Sequence, residues 1–109
     1  MEISMKELGD IIANNNQSSE RNPLSDYYGK SVFIRTVTHH YTGRVSELIG
    51  TQAVRLSDAA WIADDGLFSS ALAKGELNEV EPYIDDVIVF IGSMIDVTEW
   101  RHKLPRERK

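Results

Sequence analysis

Apolar and polar residues alternate with a period of two along the middle of the chain, from Tyr27 to about residue 58. In the first part of this stretch Val32 and Ile34 fall on one face, and Phe33 falls on the other. Such alternation is typical of half-buried β-strands. We predict a first strand in the part before Thr38, a connection at Thr38 and His39, a second strand over about 40–49, and a third over about 52–58.

A glycine inside the second predicted strand indicates where the sheet bends. Gly43 lies among alternating residues, and a glycine there usually marks a sharp bend or a close approach of backbone. Two further apolar segments, 86–91 and 93–99, are separated by little more than Gly92, so we expect a bend there as well. Five short strands leave no unpaired sheet edge when they curl into a closed barrel, and this is the arrangement we expect.

Helical patterns occur before and within the strand region. Ser4 and Glu7 have the spacing of a capping box, ahead of apolar residues on one face, and predict a short N-terminal helix. Residues 66–74 predict a second short helix, with Gly75 in the position of a C-cap. The predicted fold class is therefore α+β, mainly β: an N-terminal helix, then a strongly bent five-stranded antiparallel sheet with a helix inserted between strands 3 and 4.

The length and composition place the chain in the class of single small domains. It has 109 residues and no cysteine, which excludes disulfides and thiolate zinc sites and favours a reducing compartment, the cytoplasm. The longest apolar run, VIVFI at 87–91, is too short to span a bilayer, and we expect no membrane association. The predicted organisation is a helix and linker over 1–27, a barrel over 28–100 and a basic tail over 101–109.

Charge is distributed unevenly along the chain. The net charge of −5 argues against broad attraction to a phosphate backbone. Residues 59–98 contain eight acidic residues and one basic residue, Lys74, whereas residues 99–109 contain five basic residues and two acidic ones. Any basic patch should therefore be local to the tail.

Two sequence motifs resemble those of the Sm and Sm-like family. The first spans 28–62 and has a Gly-Lys entry, alternating aliphatic residues, a mid-strand glycine and a closing Leu-x-Asp-Ala run. Its residues are Gly29, Lys30, Val32, Ile34, Gly43, Val45, Leu56, Asp58 and Ala59. The second, VFIGSMIDV at 89–97, has Gly92 and Ile95 in matching places. The resemblance covers about 28–100, with 59–84 as a longer insertion, and the whole is similar to small phage-derived Sm-like proteins of unassigned role.

This resemblance implies a bent five-stranded barrel that assembles into a homo-oligomeric ring. In such rings the fourth strand of one subunit pairs with the fifth strand of the next. Independently, an apolar strand edge is an aggregation hazard unless another strand covers it, and a head-to-tail contact that closes into a ring removes every edge. The expected interface residues lie in the last two predicted strands: Val87, Val89, Phe90, Ile91, Met94 and Ile95.

The sequence departs from the Sm family at the residues that bind uridine. Ile49 occupies the place of the usual Asp, Gln52 and Ala53 the place of Met-Asn, and Ile91 that of the Arg. Isoleucine and alanine can neither read a base edge nor pair with a phosphate. The usual uridine site should be absent, which leaves the other ring faces and the tail.

Candidate nucleic-acid contacts come from basic side chains on polar strand positions and in the tail. Ring symmetry would multiply such charges around a pore, although solvated strand faces explain them equally well. The candidates are Arg35, His40, Arg44, Arg55, Arg101 and Lys103. The tail RHKLPRERK is the strongest electrostatic candidate for phosphates, and a disordered solubilising tail is the alternative.

Other candidate sites have simpler explanations. His39 and His40 are adjacent, and neighbours on an extended strand point to opposite faces and cannot share one ion. The acidic pairs at 64–65 and 85–86 match no calcium-binding loop. Three large aromatic residues are more typical of core or interface than of base stacking: Trp61, Tyr83 and Trp100. We predict no metal and no cofactor.

Two functions remain open from the sequence. The first is a non-enzymatic, ring-forming Sm-like protein of phage type, acting in the host cytoplasm and binding RNA or a nucleotide on a ring face or in the pore. The second is an oligomeric scaffold or a sponge for a nucleotide signal that acts on host machinery, using the acidic insertion. No nucleophile elbow, P-loop or dinucleotide fingerprint is present, so the sequence does not point to an enzyme.

Overall fold

The computed structural model describes residues 21–109, and the predicted N-terminal helix lies outside this range. The described part contains six β-strands, one α-helix and two single turns of 3₁₀ helix at Ser25–Tyr27 and Ile91–Ser93. The strands and the helix, in chain order, are β1 (Ser31–Thr36), β2 (His40–Ile49), β3 (Ala53–Asp64), α1 (Phe68–Lys74), β4 (Glu79–Pro82), β5 (Val87–Phe90) and β6 (Met94–Glu99).

All six strands belong to one antiparallel sheet. Along the main path the order is β4-β3-β2-β1-β6, and β5 pairs separately with β3. The long strand β3 serves two partners, because its first residues pair with β5 from Ala53 to Leu56 and its last residues pair with β4 from Ala60 to Asp64. The mainly β prediction and the inserted helix are confirmed.

Two boundaries predicted from the sequence are wrong. The third strand was expected to end at residue 58, but β3 continues to Asp64 because Ala59, Ala60 and Ile62 are buried and keep the strand against the core. The insertion predicted to begin at 59 therefore begins within this strand. It also supplies a sixth strand, β4, whose Pro82 is tolerated at its end because proline is confined to strand ends and edges.

The sheet bends where Gly43 of β2 lies against β3. Pairing shifts between Thr42 and Arg44, and the extra residue on β3 lies around Asp58, whose φ of 52° is in the left-handed region that Asp tolerates better than most residues. A Cβ on Gly43 would lie 3.0 Å from the Cβ of Leu56 and 3.3 Å from that of Ala59. The glycine predicted to mark a bend therefore does so by letting two strands approach closely.

Hydrophobic side chains form one cluster on each face of β1. Val32 and Ile34 pack into the first cluster, which we call the inner cluster, with Val54 and Leu56 among its members. Phe33, between them in sequence, packs into a second, outer cluster. The members of the outer cluster come from the insertion and the end of the chain as well as from the sheet: Phe33, Ala60, Ile62, Ala71, Leu77, Val80 and Trp100. The strand β1 is thus buried on both faces.

The basic tail, whose order the sequence left open, is held against the outer cluster. The N–H and C=O groups of Val80 exchange two hydrogen bonds of 2.9 Å with those of Lys109. Leu104 packs on the outer cluster, and Arg106 donates to the carbonyl oxygens of Ala59 at 2.7 Å and Tyr83 at 3.0 Å. The insertion and the tail together form a cover over one face of the sheet.

We expect Gly43→Ala to destabilise the protein by about 1–3 kcal/mol, the usual cost of overpacking a tight core site. Leu56 and Ala59 lie on the partner strand at a bulge and have little freedom to withdraw. Urea unfolding followed by circular dichroism measures the change. Gly92→Ala is the matched control, since a Cβ there meets no atom within 4 Å. Equal stabilities for the two variants would contradict the close-approach explanation.

Candidate functional site

The three arginines predicted to line a pore are each paired with a carboxylate. Arg35 on β1 donates to Asp96 on the neighbouring β6. Arg44 on β2 contacts Asp58 at 2.8 Å, and Arg55 on β3 contacts Glu47 on β2 at 2.7 Å. Each positive charge is therefore compensated within the same chain, and a phosphate would have to compete with a carboxylate for each guanidinium.

These ion pairs lie in separate places on the sheet. Arg35 belongs to the α1 side, where its guanidinium carbon lies 4.6 Å from the ring centroid of Phe68. Arg55 pairs across strands with Ile88 and Glu47, next to Val54 and Leu56 of the inner cluster, whose side chains point to the opposite face. The structure thus brings His40 near Arg35 but does not gather the predicted cations into one site.

Hydrogen bonding to arginine perturbs two of the acids. The Arg35 guanidinium holds the pKa of Asp96 below its ordinary value of 3.8, chiefly through a side-chain hydrogen bond and against the effect of desolvation. Arg44 lowers the pKa of Asp58 in the same way. Both carboxylates are therefore stabilised in the charged form, as expected for hydrogen-bonded ion pairs.

His39 and His40 point to different surroundings. The Nε2 atom of His39 shares a hydrogen bond of 2.7 Å with the hydroxyl of Tyr41, and its ring meets Trp61 edge-on at 5.6 Å. The Nδ1 atom of His40 lies 3.0 Å from a carboxylate oxygen of Asp65, and its ring packs edge-on against Phe33 at 5.7 Å. His39 lies in the connection between β1 and β2, and His40 is the first residue of β2, so the strand argument for keeping the two rings apart does not apply to them, and their rings instead contact different partners.

One of the two acidic pairs, at 64–65, makes structural contacts. Asp64 accepts a hydrogen bond of 2.9 Å from the N–H of Gly66 and so stabilises the turn before α1, while Asp65 pairs with His40. Within residues 21–109 there is no group of three or more His, Cys, Asp or Glu side chains arranged to hold a metal ion.

The cations of the tail line a cleft beside β4. The cleft has a volume of about 420 Å³ and lies between the tail and the segment that follows α1. Its polar walls come from Lys103, Arg106, Lys109 and one acid, Glu107, and its apolar walls include Leu77 and Leu104. Of the two tail residues predicted as nucleic-acid contacts, Lys103 lies here, whereas Arg101 lies 3.9 Å from Glu99 beside a separate cleft.

The sequence pattern did not identify Arg106 and Lys109 as individual site residues. Both belong to the basic run of the tail, but their position depends on pairing of Lys109 with Val80 and on carbonyl oxygens presented by Ala59 and Tyr83. Backbone acceptors leave no signal in a sequence. The basic run of the tail was the sequence feature that could have pointed to these two residues.

Five of the six predicted interface residues lie on two strands that each have one paired neighbour among the described residues, and the sixth, Ile91, lies in the 3₁₀ turn between them. The strand β5 pairs with β3, and β6 pairs with β1. Val89 is buried in the inner cluster, and Val87, Ile91 and Met94 are partly buried against it. Phe90 and Ile95 are each 61% exposed.

One apolar residue at these strand edges was not among the predicted interface residues. Ile88 is 42% exposed and alternates with the buried Val89. The period-two pattern of VIVF would have identified it as the outward-facing neighbour of Phe90. The exposed apolar surface on the two strands therefore comes from Ile88, Phe90 and Ile95.

The three large aromatic residues divide between core and surface. Trp100 is 3% exposed, packs with its ring centroid 5.7 Å from that of Phe33, and belongs to the outer cluster, as the core interpretation predicts. Trp61 is 37% exposed, and Tyr83 stacks on Tyr41 with ring centroids 6.2 Å apart. The surface pair is therefore held in place by other aromatic rings.

Comparisons with family models, curated proteins and solved structures found no match to this chain. Of the helices in residues 21–109, none has the length and apolar composition needed to cross a membrane.

We expect the stability of the protein to fall as the pH drops below about 3.8, the ordinary value for Asp96, toward its lower pKa in the folded state. In that window the unfolded chain binds more protons than the folded chain, so acidification favours unfolding. Asp96→Asn removes this contribution and should give a flatter dependence of unfolding free energy on pH below 3.8.

Urea unfolding at a series of pH values measures this dependence, with Glu76→Gln as the control that removes an exposed carboxylate elsewhere. A slope for Asp96→Asn as steep as that of the unsubstituted protein would show that the Arg35–Asp96 pair contributes nothing to the acid sensitivity.

Proposed function

We propose that the chain is a non-enzymatic, Sm-like subunit of a homo-oligomeric ring that binds RNA or a nucleotide. The observation that carries the proposal is the pairing order β5-β3-β2-β1-β6, in which both terminal strands have a free outer edge among the described residues. The bend at Gly43 brings this sheet toward a barrel whose opening lies between β5 and β6. In the Sm family the two corresponding strands join neighbouring subunits.

The apolar side chains on the two terminal strands support this assembly. An exposed edge with Ile88 and Phe90 is a template for association unless it is covered. Pairing β5 of one subunit with β6 of the next would cover both edges at once and would bring Phe90 toward the neighbour's Ile95. Because this contact is head-to-tail, its repetition ends only when a ring closes.

In the order of strand pairing, β4 of the insertion and the tail are separated from the outer edges of β5 and β6. The insertion contributes Ala71, Leu77 and Val80 to the outer cluster, which covers the Phe33 face of β1. The strand β4 pairs with the far half of β3, from Ala60 onward, whereas β5 uses the near half. The proposed contact therefore needs no displacement of the cover formed by insertion and tail.

We expect Phe90→Glu to convert the assembled protein to monomer. The substitution places a charge in the proposed β5–β6 contact, where it would be desolvated without a partner. Size-exclusion chromatography with light scattering, together with native mass spectrometry, measures the subunit number. The matched control is Val37→Glu, an equally drastic change at a residue that is 80% exposed and outside β5 and β6.

The ring proposal requires that the unsubstituted protein gives one discrete oligomer and that Val37→Glu retains it. An unsubstituted protein that is monomeric at every concentration would overturn the proposal. So would an oligomer that is unaffected by Phe90→Glu.

The tail cleft is the best-supported place for RNA or a nucleotide phosphate. Lys103, Arg106 and Lys109 are held together there by the tail's contacts with β3 and β4, and among the described residues none of them forms a salt bridge, although Glu107 lines the same cleft and Arg106 helps to lower the pKa of Asp58. By contrast, Arg35, Arg44 and Arg55 are compensated by carboxylates. Preorganised, uncompensated cations are the feature that phosphate binding requires.

We expect the double substitution Lys103→Gln and Lys109→Gln to weaken binding of short RNAs and to reduce its salt dependence. The slope of log affinity against log salt should fall by about one for each phosphate that is no longer neutralised. Filter-binding titrations over a range of salt concentrations measure both quantities. Lys74→Gln, at the end of α1 and outside the cleft, is the matched control. No salt-sensitive affinity in the unsubstituted protein would count against RNA as the ligand.

A further inference from the structure

A second cleft, opposite in charge to the first, follows the end of β4. It has a volume of about 440 Å³. Its walls are aromatic and acidic, with one aliphatic residue that is 98% exposed, Ile84. The residues that matter for its chemistry are Trp61, Glu81, Tyr83, Ile84, Asp85 and Asp86.

The aromatic wall is fixed by strand pairing and by ring contacts. Trp61 on β3 lies directly between Tyr41 on β2 and Glu81 on β4, so the three side chains share one face of the sheet. Tyr83 stacks on Tyr41, and His39 contacts both Tyr41 and Trp61. Burial beside Tyr83 raises the pKa of the Tyr41 hydroxyl, so Tyr41 stays a neutral member of this wall. The indole of Trp61 is therefore presented on a rigid support rather than on a mobile loop.

The charged side chains that line the cleft are all acidic. Three carboxylates line it, from Glu81, Asp85 and Asp86, and no lysine, arginine or histidine is among the lining residues. Two arginines lie at its margin: Arg106 donates to the backbone carbonyl of Tyr83, and Arg55 pairs with Glu47 and is near enough to interact electrostatically with Asp86. An anionic ligand would be repelled here, and a cation would find both carboxylates and aromatic rings.

We propose that this cleft binds an arginine side chain presented by a partner protein. A guanidinium can stack on the exposed indole of Trp61 and at the same time donate parallel hydrogen bonds to a carboxylate, a combination that suits arginine better than lysine. The aliphatic stem of the arginine would lie against Ile84. Charge complementarity and the aromatic wall identify the occupant, and neither the ring nor RNA binding is needed for it.

The two tryptophans of the chain provide a site-specific test. In an NMR titration of the full-length ¹⁵N-labelled protein, the indole N–H of Trp61 reports on the cleft. That of Trp100, which is buried and donates to the carbonyl of Lys103 at 3.2 Å, is an internal reference. The probes are acetyl-Gly-Arg-Gly-amide and the same peptide with citrulline, which keeps the shape of arginine without its charge.

The arginine peptide should shift the Trp61 resonance saturably and leave Trp100 unchanged, and the citrulline peptide should bind about tenfold more weakly or worse. Asp85→Asn with Asp86→Asn should reduce the affinity of the arginine peptide by a similar factor. Both residues are exposed, so the fold should be retained, which the spectrum of the variant itself verifies. Glu107→Gln, in the other cleft, is the matched control and should bind as the unsubstituted protein does.

Three results would overturn the proposal. These are equal binding of the arginine and citrulline peptides, no saturable shift of Trp61, and saturable binding of spermidine without binding of the arginine peptide. The last result would assign the cleft to a free polyamine instead of a protein side chain.

Discussion

The close approach of β2 and β3 at Gly43 is the constraint on which the rest of the structure depends. With no side chain at this position, Leu56 and Ala59 approach to within 3.0 and 3.3 Å of where a Cβ would be, and the extra residue at Asp58 turns β3 away from the plane of its first half. One strand can then pair with β5 at its start and with β4 at its end. Without that bend the two halves of β3 would lie in one flat sheet, and the inner cluster would have no curved wall around it.

Burial of β1 on both faces explains why the insertion and the tail are part of the domain. A small antiparallel sheet normally leaves one face to solvent, with polar residues at alternate positions. Here Phe33 interrupts that alternation, and its face is covered by α1, β4, Trp100 and the tail. The tail is therefore ordered by apolar packing and backbone hydrogen bonds, and its basic residues acquire fixed positions as a result.

Electrostatics divides the surface of the protein into compensated and uncompensated regions. The strand arginines are neutralised by carboxylates on neighbouring strands, so their number in the sequence overstates the positive charge that a ligand would meet. Cations that form no salt bridge among the described residues lie in the tail cleft, and a mainly acidic surface lies beside Trp61. One chain thus carries surfaces of opposite charge, which a net charge of −5 does not reveal.

The sequence by itself determined the features that depend on local pattern. The period-two alternation located β1, β2, β5 and β6, and the glycine at 43 marked the bend. Only the tertiary structure decided the pairing of distant groups: the extension of β3 to Asp64, the strand β4, the carboxylate partners of Arg35, Arg44 and Arg55, and the two clefts. The physical reason is that ion pairs, backbone acceptors and shared aromatic walls join residues far apart along the chain, and local periodicity carries no information about which of them meet.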